Sequence, residues 1–259
     1  MKQPVIIFPN QKGGCGKTTC CREVSLYVAS LGKKVCIIDS DPQGNLTKSL
    51  VSEDDIISGL YEALTAQSFE LMEVNAHTWL LAGDKRLALL EKQLIGEMDA
   101  FTRLKDLLPD ELFSDFDYIF IDSPPSLGIL TGNGLAASTH FVIPMSPALY
   151  TLQGTNDLMD TIAKVRRSLN PGLKLLGVII NAYDCKPVIT RQIKDEITEG
   201  FGDIVFKTHL SKSIKIEEAI AQKISVTDLR RLDKSRAKDE VQAIGQELLE
   251  RLENSNGKG

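Results

Sequence analysis

The segment Lys12-Gly13-Gly14-Cys15-Gly16-Lys17-Thr18 places a lysine at each end of a glycine-rich loop and follows the second with a hydroxyl. Residues of these types in this order bind a chain of phosphates. The glycines turn backbone N–H groups toward the oxygens, the lysine beside the hydroxyl neutralises the terminal phosphates, and the hydroxyl joins Mg²⁺. The common form of the motif begins with a glycine, where this chain has Asn10 or Gln11. Lys12 is an addition to it. Lys17 can serve the phosphates of its own nucleotide. Lys12 sits at the mouth of the loop, where it could reach a phosphate held by a facing copy of the chain, and a second chain would then be part of the site. The competing reading is a glycine-rich turn between strand and helix that holds no ligand.

Three carboxylates belong to the same chemistry. Asp122 closes the apolar run Tyr118-Ile119-Phe120-Ile121-Asp122, and an aspartate in that position helps hold Mg²⁺ in phosphate-loop enzymes, directly or through water. Alone it would equally be a turn residue. In Asp39-Ser40-Asp41-Pro42-Gln43-Gly44-Asn45, Pro42 and Gly44 fix a tight turn that keeps two carboxylates close to the phosphates. One of them is suited to orient or deprotonate the water that attacks a γ-phosphate. An Asx-type turn capping the next helix explains the same residues without catalysis. Cys15 lies beside two lysines at a helix start, so its thiol is either acidified and oxidation-sensitive or a filler of the variable loop position.

These residues need a scaffold that brings strand ends together. Val5-Ile6-Ile7-Phe8 reads as a strand buried on both faces. A helix is expected over residues 18–30, with Gly32 as its stop, and strand, loop and helix start in that order form an anion site. Further strands are expected at 34–39, 78–82, 118–122, 141–145 and 175–181, with helices notably at 152–169 and 188–200. Such alternation builds an α/β fold, a mostly parallel central sheet with helices on both faces, whose ligands sit at the carboxyl ends of the strands. Asp39, Asp41 and Asp122 all fall there. The 259 residues show no linker, repeat or low-complexity tract, so a single domain over 1–259 is expected.

Composition narrows the class further. There is no apolar run long enough to span a bilayer and no signal-peptide pattern. The five cysteines, Cys15, Cys20, Cys21, Cys36 and Cys185, are odd in number and contain no C-x-x-C pair, against a disulfide framework or a zinc site. A reducing cytoplasm is the simplest setting.

Lys12-Gly13-Gly14-Cys15-Gly16-Lys17-Thr18-Thr19, then 39–45, then Asp117-Tyr118-Ile119-Phe120-Ile121-Asp122-Ser123-Pro124-Pro125-Ser126 resemble the ParA/Soj/MinD ATPases, the deviant-Walker branch of the P-loop NTPases. The resemblance continues through Gly128-Ile129-Leu130-Thr131, Asn133-Gly134-Leu135, Leu152-Gln153-Gly154 and 165–171, nearest to the short ParA or Soj partition ATPases. It implies a Mg²⁺-dependent, weak ATPase of a single domain that forms an ATP-sandwich homodimer. Lys12 would contact the partner's nucleotide. Gly13, Gly14, Cys15, Gly16, Lys17, Thr18 and Thr19 would cradle the phosphates, with Thr18 and Asp122 on the metal. Asp41 would position the water, Asp39 would support it through the metal's water shell, and Asn181 would lie near adenine. MinD ends in a basic amphipathic helix, whereas three glutamates among the leucines of 247–253 make this terminus acidic, so membrane anchoring is not expected. Nitrogenase iron proteins need paired cysteines for a cluster. With the first strand at residue 5, a helix-turn-helix domain before the loop is not expected either.

The resemblance also implies non-specific DNA binding, nucleoid association and a ParB-like partner that stimulates hydrolysis. The net charge is −5, yet nine basic and four acidic residues over 207–238 leave a surplus of five positive charges. Arg191 and Lys215 stand where Soj-like proteins carry DNA-contacting arginines, and Lys212, Arg230 and Arg231 extend the surface. A solvated basic helix face is the competing reading. The chain departs from the family in this half. It has Ser211-Lys212 where a Pro-Arg pair is usual, and Glu217-Glu218-Ala219-Ile220 where Ser-Glu-Ala-Pro is usual. Two functions follow: a DNA-segregation ATPase, or a ParA-like switch that positions or regulates a protein complex.

Overall fold

Short runs of aliphatic and β-branched residues build the centre of the molecule. In the computed structural model, which describes residues 3–109, 111–147, 153–184, 186–228 and 235–256, these runs form seven strands. They are β1 (Val5–Phe8), β2 (Val35–Asp39), β3 (Met72–Asn75), β4 (Thr78–Leu81), β5 (Tyr118–Asp122), β6 (His140–Met145) and β7 (Lys174–Ile180). One sheet contains them all, in the order β3-β4-β2-β5-β1-β6-β7. Every neighbouring pair is parallel except β3 with β4. The helices among the described residues are α1 (Lys17–Ser30), α2 (Asn45–Leu50), α3 (Leu60–Leu64), α4 (Arg86–Gln93), α5 (Arg103–Leu107) and α6 (Glu111–Ser114), followed by α7 (Ile129–Ala137), α8 (Gln153–Ser168), α9 (Val188–Phe201), α10 (Ile214–Ala221) and α11 (Arg236–Asn256).

Alternate side chains of each strand point to opposite faces, and the core divides accordingly. Ile6, Phe8, Val35 and Ile37 pack with α1, α2, α10 and α11. Val5, Ile7, Cys36 and Ile38 pack with α3 to α9 on the other side. The expected α/β architecture is therefore present, with both sheet faces covered. α1 is buried along most of its length between the sheet and α11. A Cβ at Gly245 of α11 would stand 2.1 Å from Tyr27 Cδ1, so the absence of a side chain there lets the two helices approach.

The expected strands 5–8 and 118–122 match β1 and β5, and the other expected strands and helices differ from the observed ones by a residue or so at their ends. Gly32 stops α1 as expected, adopting φ +80° while its N–H bonds Ala29 O at 2.9 Å. β3 was not anticipated. Its four residues alternate between half-buried and exposed at the sheet edge, too short a pattern to stand out in sequence, and a tight turn in which Asn75 Oδ1 accepts the His77 N–H at 3.0 Å folds it back on β4. Among the described residues no helix is long and apolar enough to cross a membrane.

Candidate nucleotide site

Register decides which strand ends meet. Phe8 pairs with Asp122, and Asp122 with Asp39, so the three central strands β1, β5 and β2 finish side by side. Chain segments leave β1 toward β2 on one side and reach β6 on the other, which opens a crevice above β1. The glycine loop fills that position, ending in Gly16 with φ +87° as it turns into α1.

The loop is braced by its neighbours. Asn10 donates to Pro144 O at 2.6 Å and accepts the Lys12 N–H at 2.9 Å, which ties the entry of the loop to the end of β6. Asn181, at the end of β7, donates from Nδ2 to Cys15 O at 3.0 Å. A Cβ at Gly16 would lie 1.6 Å from that same Nδ2, so only glycine admits the brace. The start of α1 has no side-chain cap and no acidic residue in its first turn. Its unpaired N–H groups and the positive end of its dipole thus face the loop, the electrostatic setting that a phosphate fits. Lys17 is buried, and its Nζ donates to Lys12 O at 3.3 Å, across the loop. Gly13 and Gly14 are exposed, and Thr19 is half-exposed behind the loop.

Thr18 and Asp122 meet: the Thr18 hydroxyl donates to Asp122 Oδ2 at 2.7 Å. Asp122 Oδ1 is buried and has no hydrogen-bond partner among the described residues. Burial, with Asp39 alongside, holds this carboxyl well above the usual carboxylate range, against the opposing pull of the Thr18 hydroxyl and Lys17. Asp39 is wholly buried too, and burial pushes its carboxyl up to about 6 although hydrogen bonds from Thr47 oppose the shift. Adjacent buried carboxylates with an orphaned oxygen and a hydroxyl are a hard-oxygen set that a divalent cation would neutralise. Mg²⁺ suits it, since that ion takes one or two protein oxygens and fills its octahedron with phosphate and water.

Asp41 and Asp39 take different partners. Asp39 has both oxygens engaged: Oδ1 accepts the Asp41 N–H at 3.1 Å, and Oδ2 accepts the Thr47 N–H and hydroxyl, each at 2.8 Å. It organises the turn. Asp41 Oδ1 accepts the Gln43 N–H at 2.9 Å, so the Asx turn weighed in sequence is present, and Gly44 N–H closes on Asp41 O at 2.9 Å. That turn holds Asp41 beside the strand ends that carry Asp39 and Asp122. Cys15 takes the filler reading. It is buried, and burial raises its thiol despite the nearby Lys17, so it is not acidified. Sequence reasoning passed over Thr47, which lies eight residues from Asp39 and also accepts the Gly83 N–H at 3.0 Å. It passed over Ser123 as well, whose hydroxyl bonds Phe8 O at 3.0 Å and ties β5 to the loop's own strand. Neither carries a recognisable spacing.

The expected DNA residues lie farther out. Arg191 is exposed on α9, Lys212 is exposed, and Lys215 in the first turn of α10 is half-exposed and paired with Glu218 at 2.7 Å. The Tyr183–Ser211 bridge, in which Lys212 N–H bonds Tyr183 O at 3.1 Å, joins the bases of the two elements that carry them. Arg230 and Arg231 lie outside the described residues, as do Leu152 and Cys185.

A parallel sheet that sets a glycine loop, an uncapped helix start and strand-end aspartates around one crevice defines a P-loop NTPase. A protein-family profile described as an AAA domain matches residues 3–175. The chain is 36% identical to the chromosome-partitioning ATPase Soj of Thermus thermophilus over 215 residues, covering 83% of each chain. It is 34% identical over 220 residues to the sporulation initiation inhibitor protein Soj of Bacillus subtilis, covering 83% of this chain and 87% of that one. Among solved structures, a cobyrinic acid a,c-diamide synthase from Mycobacterium smegmatis with bound ATP analogue and magnesium superposes with TM-score 0.83 at 27% identity, over 98% of this chain and 97% of that one. A plasmid partition protein from Borrelia burgdorferi shares the fold with TM-score 0.76 at 21% identity, over 97% and 100% of the two chains. The chain belongs to the ParA/Soj family of chromosome-partitioning ATPases.

Proposed function

We propose that this protein is an ATP-dependent partition ATPase whose nucleotide state governs self-association and DNA binding. The observation that carries the reading is the Thr18–Asp122 contact at an uncapped helix start, with Asp122 Oδ1 buried and without a hydrogen-bond partner among the described residues. A nucleotide phosphate and a cation complete that arrangement. When bound, Mg²⁺ supplies charge neutralisation on the β- and γ-phosphate oxygens. Thr18 and Asp122 hold it there. The loop N–H groups and Lys17, released from Lys12 O, bind the phosphates, and Thr19 extends the cradle. Asp39 fixes the turn and Asp41 orients the attacking water, accepting its hydrogen bond within the crevice. Asn181, which holds Cys15 O, lies near adenine.

Lys12 completes the scheme in a homodimer. At the mouth of the loop it reaches the nucleotide of a facing subunit, so hydrolysis awaits the meeting of two loaded chains. Removal of the γ-phosphate then dissolves the contact. Two copies of the surface around Arg191, Lys212, Lys215, Arg230 and Arg231 bind duplex DNA without sequence preference, and their pairing makes affinity depend on ATP although no charge changes. A ParB-like centromere-binding protein accelerates hydrolysis, and the protein resides on the nucleoid in the cytoplasm. The relatives named for chromosome partition support this over a protein-positioning switch.

The test uses an Asp41→Ala protein, expected to hold ATP without hydrolysing it. Its affinity for non-specific duplex DNA is measured with ATP and with ADP across a salt series. Binding that requires ATP and falls steeply with salt is the expected outcome. An ATP-dependent dimer that ignores DNA would replace this reading with the positioning switch.

A further inference from the structure

Arg22 and Glu23, on the helix that begins at the phosphate loop, form an ion pair in which neither side chain is exposed. Each also reaches beyond its own helix. Arg22 Nε donates to Ser49 Oγ at 3.1 Å and Nη2 donates to Ser49 O at 3.2 Å, which fastens α1 to α2. The same Nη2 donates to Ile224 O at 2.8 Å, 202 residues away in sequence. Glu23 Oε2 accepts the Ser225 hydroxyl at 3.1 Å and the Val226 N–H at 2.9 Å. Three segments therefore converge on two neighbouring side chains: the nucleotide helix, the helix whose Thr47 clamps Asp39, and residues 224–228. The chain continues from those residues into the run that carries Arg230, Arg231 and Lys234.

A buried ion pair is a poor way to gain stability, because apolar side chains of similar volume serve as well or better. What it provides is direction. Hydrogen bonds weaken steeply when donor and acceptor shift or turn, and a broken bond here leaves a charge buried without its partner. Arg22 lies one turn beyond Thr18 on α1, so a tilt of the helix toward bound phosphates moves the guanidinium with it. The planar fork holds Ser49 and Ile224 at fixed angles, and the cheaper response is for both to follow.

We propose that the Arg22–Glu23 pair is a positioning junction that transmits occupancy of the phosphate loop to residues 224–228. The junction deepens the reading of the phosphate loop as an ATP site and rests on it. Neither residue touches nucleotide. Their role is to make two distant segments move with α1.

Hydrogen–deuterium exchange of the full chain, with and without ATP and Mg²⁺, tests the junction at Val226 and Thr227 and in α2. Exchange in 224–228 should slow about tenfold on ATP binding in the unaltered protein, within the usual range of coupling between sites. In Glu23→Gln that response should fall below about twofold while ATP affinity stays within about threefold, since the loop is untouched. Ser225→Ala removes the hydroxyl that bonds Glu23 Oε2, the Thr227 N–H and the Thr227 hydroxyl, but no charge, so it serves as the second variant if Glu23→Gln fails to fold, and it should halve the response or more. An unaltered protein whose 224–228 exchange ignores ATP overturns the junction. So do variants that respond as the unaltered protein does. DNA affinity with ATP and with ADP is measured on the same samples. An ATP response at 224–228 without any DNA binding supports the junction and overturns the DNA reading.

Discussion

Lys17, Thr18, Asp41 and Asp122 converge on one crevice, but they differ in what surrounds them, and their variants should separate by readout. Lys17 is buried against the loop with Nζ on Lys12 O, and in the proposed function its ammonium would exchange that carbonyl for a charge-assisted contact with phosphate. Lys17→Ala should weaken ATP binding about 10- to 100-fold, the value of a hydrogen bond to a charged group. Titration with a fluorescent ATP analogue measures it, and unchanged affinity would remove the loop from the site. Asp41 is buried in an Asx turn. Asp41→Ala should leave ATP affinity within a few-fold and lower steady-state hydrolysis about 10²- to 10⁴-fold, as loss of a water-positioning group does. Full phosphate release by that variant would assign the water to another residue. Asp39 is the contrasting case. Its spacing resembles a second catalytic acid, yet both oxygens are consumed by Asp41 and Thr47. Residue type and order can show that two carboxylates share a turn; only hydrogen-bond accounting shows which one holds the turn in place.

At the scale of elements, the phosphate loop is legible in sequence while its supports are not. β1, the glycine loop and α1 follow one another in the chain, so motif and scaffold are read together. Asn181 is 166 residues from Cys15, whose carbonyl it holds, and Asn10 is 134 residues from Pro144. Such braces arise from strand order, with β6 and β7 folded back beside β1, and a linear pattern does not contain them. The same holds for the Arg22–Glu23 pair, which reads as two charged positions on α1 until Ser49 and Ser225 are seen against it. Gly16 exposes the joint between loop and brace. Gly16→Ala forces a side chain into φ +87° and against Asn181 Nδ2. It should reduce ATP affinity more than Asn181→Ala does. Combining the two should recover part of the loss by removing the collision, while the left-handed backbone keeps the rest. A double-mutant cycle on ATP binding measures that coupling, and strict additivity would mean that Asn181 does not bear on Gly16 in solution.

At the scale of the whole molecule, α11 closes the fold. His140 at the start of β6 bonds Ser255 Oγ through Nε2 at 2.7 Å, and Lys174 Nζ bonds Ser255 O at 2.9 Å. Burial, assisted by Lys174, pushes the His140 imidazole down from 6.5 to about 4. Between those values the unfolded chain binds a proton that the folded chain refuses, so stability rises with pH across the window and is lost as pH falls from 6.5 toward 4. His140→Gln keeps a partner for Ser255 and removes the titration. Its melting temperature should fall less steeply than that of the unaltered protein over that range, and parallel slopes would relieve His140 of the effect.

Gly13 poses the question that a single chain cannot answer by itself. A Cβ built there meets no other described residue within 4 Å, and its φ is not in the left-handed region. Gly13→Val should therefore fold and bind ATP within a few-fold of normal, because the loop has room for the side chain. The cost appears only when another surface arrives. If Lys12 reaches into the nucleotide of a facing subunit, two loops must approach closely, and two valines at that face would hold them apart. Light scattering of Gly13→Val/Asp41→Ala with ATP should then show a monomer under conditions where Asp41→Ala alone is a dimer. A dimer formed equally well by both proteins would place the interface elsewhere and leave Lys12 to its own nucleotide.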